Sequence, residues 1–282
     1  MRAIRAIISF LFVLQLTGCS GLLYYPSRQL YYPPEKFGLK AEEVYFASKA
    51  GPKLFGWYFK NRGNKNPKAM VVFYHGNAEN MSSHYVSAYW LLEHGYDLFV
   101  FDYQGYGRSE GSPSPRGTVL DGEAALEWVA NHKPNIPIVI FAQSLGGAIA
   151  LRNAIDMKDK IPLRFVAVDS TFPSYRSVAR KVMTRSWITW PLQWLGWLLM
   201  SDAAAPAGEI HKISPVPLLV IHGDQDQVVE YEFGERIFAE AAEPKEFWRI
   251  PGGAHTDVFH REDVNYRYRF LEKLDAVLKA KP

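Results

Sequence analysis

The amino-acid sequence predicts an α/β protein with a mostly parallel central sheet flanked by helices and a helical insertion late in the chain. Short apolar runs alternate with helical patterns from Ala69 to the C-terminus. Runs such as 69–74 and 136–141 are unbroken rather than alternating, which marks strands covered on both faces. The rhythm fails once, between Asp169 and Leu218, where about 48 residues intervene, far more than one crossover requires. In such a sheet, function gathers at the carboxyl ends of the strands.

In order along the chain, residues 44–46 and 54–59 read as early strands around a Gly51-Pro52 turn. Residues 69–74 form an apolar run ending at His75-Gly76, and 82–93 have helical spacing of apolar residues. A buried run at 98–101 leads into the glycine-rich turn 105–111. Helix at 117–131, strand at 136–141, helix at 145–157 and strand at 163–168 follow. After the interruption come a strand at 218–221, a helix near 232–241, a strand at 246–250 and a terminal helix from about 263. The expected layout is therefore one domain over 41–282 with a cap inserted at about 171–214.

Composition narrows the function classes. The 282 residues are 48% hydrophobic and 22% charged, enough to bury one large core. Lys and Arg number 32 against 29 acidic residues, a net charge of +3 too balanced for a nucleic-acid partner. The 105–111 turn lacks the spacing of a phosphate-binding P-loop. A single cysteine, Cys19, excludes an intramolecular disulfide.

The N-terminus carries two arginines within Met1 to Arg5, an apolar stretch at 6–16, and then Leu16-Thr17-Gly18-Cys19. That stretch, about 11 residues, is too short for a bilayer span but suits a signal-peptide core. The tetrapeptide resembles the lipobox of bacterial lipoprotein precursors. The resemblance implies a signal peptide over 1–18, acylation of Cys19, and attachment of the mature chain to a membrane outside the cytoplasm. Ser20 fits, by the same resemblance, the periplasmic face of an outer membrane. Residues 19–40, rich in Tyr and Pro, read as an irregular tether.

The chemistry centres on Ala142-Gln143-Ser144-Leu145-Gly146-Gly147, directly after one strand pattern and opening a helix. A serine on such a sharp turn is thrust out of the backbone, and small neighbours let helix and strand approach. A hydroxyl needs a base, and the base an acid that holds its tautomer. With the partners following the serine in chain order, His211, His222, His255 and His260 are candidate bases. His255 lies in a glycine-bearing loop past the last strand pattern and is the choice, with His260 the alternative. Asp226, in the loop after 218–221, is the chosen acid over Asp224 and Asp169. The backbone N–H groups of Leu145 and Asn77 are the expected oxyanion donors. This chemistry calls for no metal and no cofactor.

Five ordered blocks now form a pattern: His75-Gly76-Asn77-Ala78-Glu79-Asn80, Phe101 through Ser109, Ala142 through Gly147, His222 through Asp226, and Gly252-Gly253-Ala254-His255. Together they resemble the Bem46-like branch of the α/β-hydrolases, from about Tyr31 to the C-terminus. The resemblance implies an α/β-hydrolase fold and serine-hydrolase activity, with protein depalmitoylases and serine aminopeptidases among similar sequences. Ala142 stands where the usual motif has Gly, and Gln104 where the family commonly has Arg.

The segment 186–201 carries no charged side chain before Asp202 and holds Trp187, Trp190, Trp194 and Trp197. On a helix these would fall within about 80 degrees of one another, as one stripe. The stripe is expected either to pack the cap on the body or to form an acyl pocket or membrane-facing lid. The expected activity is cleavage of carboxylic esters or thioesters through an acyl-enzyme. A serine exopeptidase or amidase, or a non-catalytic binding lipoprotein on the same scaffold, are the alternatives.

Overall fold

A computed structural model of the chain describes residues 24–63, 66–184, 193–194, 200–261 and 265–280. Its sheet has eight strands: β1 (Glu42–Ala47), β2 (Lys53–Phe59), β3 (Met70–Tyr74), β4 (Asp97–Asp102), β5 (Ile138–Gln143), β6 (Leu163–Asp169), β7 (Leu218–Gly223) and β8 (Lys245–Ile250). Their spatial order is β8-β7-β6-β5-β3-β4-β2-β1. Strands β3 to β8 run parallel, while β2 pairs antiparallel with both β1 and β4. Among the described residues, five helices longer than two turns accompany it: α1 (Pro115–His132), α2 (Leu145–Met157), α3 (Tyr175–Thr184), α4 (Tyr231–Glu240) and α5 (Tyr266–Lys279).

The unbroken apolar runs have the cause expected of them. Every residue of β3, β4 and β5 is buried, and their side chains alternate between two cores. Met70, Val72 and Tyr74 join one core with Leu126 and Val129 of α1 and Ile149 of α2. Val71 and Phe73 join the other with Phe270 and Leu274 of α5. Helix α1 begins where Ser114 accepts from the Gly117 N–H at 3.1 Å, with Pro115 at its first position.

The helical spacing at 82–93 folds differently. The segment breaks into one α-turn, Met81–His84, and two 3-10 pieces, Tyr85–Ser87 and Tyr89–His94, joined at Ala88 with φ −125°. The tighter winding sets Tyr85 and Tyr89 both against Phe37, at ring separations of 6.0 and 5.2 Å, and Tyr85 against Trp57 at 5.6 Å. Long-range aromatic packing overrides the local period.

Between β6 and β7, α3 is tied to neighbouring loops. Ser174 donates to Asp202 at 2.7 Å, and Lys181 pairs with Glu230, in the loop after β7, at 2.6 Å. Trp194 is 58% exposed. Trp187, Trp190 and Trp197, the expected signal peptide at 1–18 and Cys19 lie outside the described residues. No helix among the described residues is long and apolar enough to cross a membrane.

Candidate active site

Ser144 stands between β5 and α2, with no residue to spare on either side. Its backbone is forced to φ 54° and ψ −123°, a conformation that costs a residue bearing a Cβ. Two bonds fix it there. Its N–H donates to the Asp169 carbonyl at 2.9 Å, and its carbonyl accepts from the Thr171 hydroxyl at 2.6 Å. The turn also needs small neighbours: a Cβ on Gly146 would meet the Tyr74 and His75 carbonyl oxygens at 2.5 Å, and one on Gly147 would meet Thr171 at 2.5 Å. Ala142 sits fully buried within β5, level with Tyr74 and Val168, so its methyl group is accommodated in the sheet.

Neighbouring strand ends deliver the rest. Asp226, three residues beyond β7, accepts through Oδ1 from the Val228 and Val229 N–H groups at 2.8 and 2.9 Å. That turn leaves Oδ2 aimed at His255, in the loop after β8, whose Nδ1 lies 2.8 Å away. The Nε2 of His222 is 3.5 Å from the same oxygen. Burial alone would raise the Asp226 carboxyl, but the imidazoles of His222 and His255 hold it well below the usual carboxylate range.

The other candidates are occupied elsewhere. Asp224 accepts from the Gly252 N–H at 2.8 Å and Arg249 at 3.0 Å, closing the turn at the strand end. Asp169 is held by Gln143 and Ser170, each at 3.2 Å, and burial pushes its carboxyl up to about 6. His222 is buried with Nε2 on the Val229 carbonyl at 2.8 Å. His260 pairs with Ser87 at 3.2 Å, and His211 lies in a 3-10 turn, Ile210–Ile213, before β7.

The loop after β3 closes the site from the other side. A Cβ on Gly76 would lie 3.6 Å from the Ser144 Cβ and 3.0 Å from the His84 ring. Asn77 is anchored at its carbonyl by the Tyr106 hydroxyl at 2.7 Å and at Oδ1 by the Tyr25 N–H at 3.2 Å. Leu145, the residue after Ser144, opens α2, so its N–H is one of the unpaired donors of the helix start. No hydrogen bond joins Ser144 Oγ to His255 Nε2 among the described residues. Catalytic pairs are commonly looser without a substrate.

Sequence reasoning overlooked three supports of this site. Ser170, itself at φ 54°, accepts from the Thr256 N–H at 3.1 Å and so joins the β6 end to the His255 loop. Thr171 grips the elbow, as above. His84, whose Nε2 lies 3.0 Å from the Ala78 carbonyl, is held below the usual imidazole range by burial and by the neighbouring His255. A histidine four residues after an asparagine N-cap is the only local signal for it. No cluster of three His, Cys, Asp or Glu side chains suited to a metal ion occurs among the described residues.

The family described as serine aminopeptidase, S33, matches residues 65–202. The protein YfhR of Salmonella typhi is 34% identical over 98% of this chain and 98% of its own length. Protein bem46 of Schizosaccharomyces pombe is 24% identical over 84% of this chain and 82% of its own. Among solved structures, the Pyrococcus furiosus esterase Pf2001 superposes with a TM-score of 0.70 at 20% identity, covering 91% of this chain and 98% of that one. The sheet order, the strained serine between β5 and α2, and this set of relatives lead to one assignment: the chain belongs to the Bem46-like branch of the α/β-hydrolases and is a serine-hydrolase-type enzyme.

Proposed function

We propose that the protein cleaves carboxylic esters or thioesters through an acyl-enzyme, with Ser144 as nucleophile, His255 as base and Asp226 as the acid that orients it. The 2.8 Å bond from His255 Nδ1 to Asp226 Oδ2, at the same sheet edge as the strained Ser144, carries this reading. Asp226 holds the proton of His255 on Nδ1 and leaves Nε2 as acceptor. Ser144 Oγ attacks the carbonyl carbon as His255 takes its proton. The N–H groups of Asn77 and Leu145 receive the oxyanion. His255 then hands the proton to the departing alcohol or thiol, and the same steps with water release the acid and restore Ser144.

The layout proposed around this site keeps residues 1–18 as signal peptide, Cys19 as the acylated anchor, 19–40 as tether, and 41–282 as the hydrolase domain with a cap at 171–214. In it the protein sits on a membrane outside the cytoplasm, and the tryptophans at 187, 190, 194 and 197 line an acyl pocket or lid.

A fluorophosphonate probe tests the nucleophile. Wild type is expected to label and Ser144→Ala is not, with ester hydrolysis falling at least about 10³-fold. Unlabelled but folded wild type would overturn the assignment and leave a binding role on this scaffold. A series of p-nitrophenyl esters of rising chain length, with thioesters and aminoacyl amides alongside, separates esterase from exopeptidase. Trp194→Ala with Trp197→Ala should reduce long-chain turnover more than acetyl-ester turnover if the stripe holds the acyl group.

A further inference from the structure

The N-terminal strap is stitched to the loop that faces Ser144. Tyr25–Pro26 pairs in parallel with Ala78–Glu79, and the Ser27 N–H donates to the Glu79 carbonyl at 2.9 Å. Asn80, buried, donates from Nδ2 to the carbonyls of Ser27 at 3.0 Å and Gln29 at 2.7 Å. Farther along, the Tyr31 N–H donates to the Ser82 hydroxyl at 3.0 Å and the Tyr32 N–H to the Ser82 carbonyl at 3.3 Å. Together with the Tyr25 bond to Asn77, these contacts fix the strap along the whole loop from Asn77 to Ser82.

The strap exposes three large apolar or aromatic side chains, interleaved with the exposed Arg28 and Gln29. Tyr25, Leu30 and Tyr32 are 60%, 56% and 46% exposed. Four residues separate Cys19 from Tyr24. Fully extended, that stretch reaches at most about 18 Å, whereas a domain of this length is roughly 45 Å across. An acyl group on Cys19 would therefore keep Tyr24, and the loop bonded to the strap, within the first half of the domain's depth from the bilayer. Aromatic rings with a polar tip, such as Tyr25 and Tyr32, partition to the headgroup level.

We propose that the rim formed by Tyr25, Leu30 and Tyr32 is a membrane-contact surface, that its occupant is a phospholipid bilayer, and that it holds the mouth of the active site against that bilayer. The inference rests on the reading of Cys19 as the acylated residue. Its consequence is that the carboxyl edge of the sheet faces lipid and the amino edge faces away. Lys60, which follows β2 and is exposed, marks the amino edge, because β2 ends level with the start of β4.

The test uses the acylated mature chain, from Cys19 onward, on vesicles of phosphatidylethanolamine and phosphatidylglycerol containing a spin-labelled lipid. Leu30→Cys and Lys60→Cys each carry an environment-sensitive fluorophore. The probe at 30 should be quenched at least about threefold more strongly than the probe at 60, since interfacial contact buries side chains only to headgroup depth. Equal quenching, stronger quenching at 60, or no quenching in protein that floats with the vesicles would overturn the proposal. Protein that fails to float would remove the anchor and the proposal with it. The readout needs no turnover, so it is independent of whether Ser144 acts as a nucleophile. A hydrolase that labels normally yet shows equal quenching would keep its chemistry and lose only this orientation.

Discussion

The two edges of the parallel sheet treat backbone strain differently. At the amino edge, left-handed turns fall on residues that tolerate them: Gly95 at φ 89° before β4 and Asn135 at φ 71° before β5. At the carboxyl edge, beside glycines such as Gly105 and Gly252, the left-handed region also holds Glu79, Ser144, Ser170 and Thr256, at φ between 54° and 63°. A β-branched threonine there is costly unless its surroundings dictate it. They do, because Thr256 is tied to Ser170, and Ser144 is tied to Asp169 and Thr171. Strain is thus confined to the edge where side chains must converge, and long-range hydrogen bonds hold it.

Five substitutions would break or sharpen that contrast. The largest effect is expected at Asp226→Asn, which keeps the turn but misplaces the His255 proton; kcat should fall about 10²- to 10⁴-fold with little change in Tm. A drop under tenfold would mean that the pair does not act together. Gly146→Ala comes next. Its methyl group would press on two backbone oxygens, so stability should fall by about 2–4 kcal/mol and kcat by more than tenfold. Gly95→Ala, at the amino edge, would meet only the flexible Lys68 chain at 3.7 Å. It should cost about 1 kcal/mol through its backbone angle alone and leave kcat unchanged. Equal loss of kcat in the two variants would erase the difference between the edges.

Asp102 offers a smaller effect, read through pH. Burial pushes its carboxyl up to about 7 despite the N–H groups of Met81 and Arg108, against about 3.9 in an unfolded chain. The folded state therefore holds this proton more tightly, and stability falls as pH rises from about 4 through about 7. Asp102→Asn should flatten part of that fall, narrowing the gap in Tm between acidic and alkaline buffer; an unchanged gap would exclude Asp102 as its source. The smallest loss of kcat is expected from Tyr106→Phe. Removing the hydroxyl that holds the Asn77 carbonyl should lower kcat about three- to tenfold, a loss of about 1 kcal/mol for one neutral hydrogen bond, with KM nearly constant. A change in KM alone would assign Tyr106 to binding.

Much of the fold was legible because it depends on burial with a simple period. The 145–157 helix ends where the apolar pattern ends, and the runs in β3 to β5 are apolar throughout because both faces are covered. Ser144 was legible because its requirements are local, a strand, a turn and small neighbours in sequence. Asp226 and His255 followed from their loops' place in the order of strands. Ser170, Thr171 and His84 were not legible, since a hydroxyl or imidazole that grips a backbone group tens of residues away leaves no periodic trace. The same limit explains the broken helix at 82–93, where Phe37 and Trp57 decide the winding from outside the segment.

The order of the strands also sets a timetable. Ser144, Asp226 and His255 lie at the ends of β5, β7 and β8, and β8 is the last strand in sequence among the described residues and lies at the edge of the sheet. A chain emerging from its N-terminus acquires the elbow first, the carboxylate next and the imidazole last. In the proposed mechanism, until Lys245–Ile250 pairs with Leu218–Gly223, Asp226 has nothing to orient and Ser144 nothing to take its proton. That mechanism predicts that a nascent or truncated chain is silent toward esters, so that activity would serve as a receipt for the docking of the final strand.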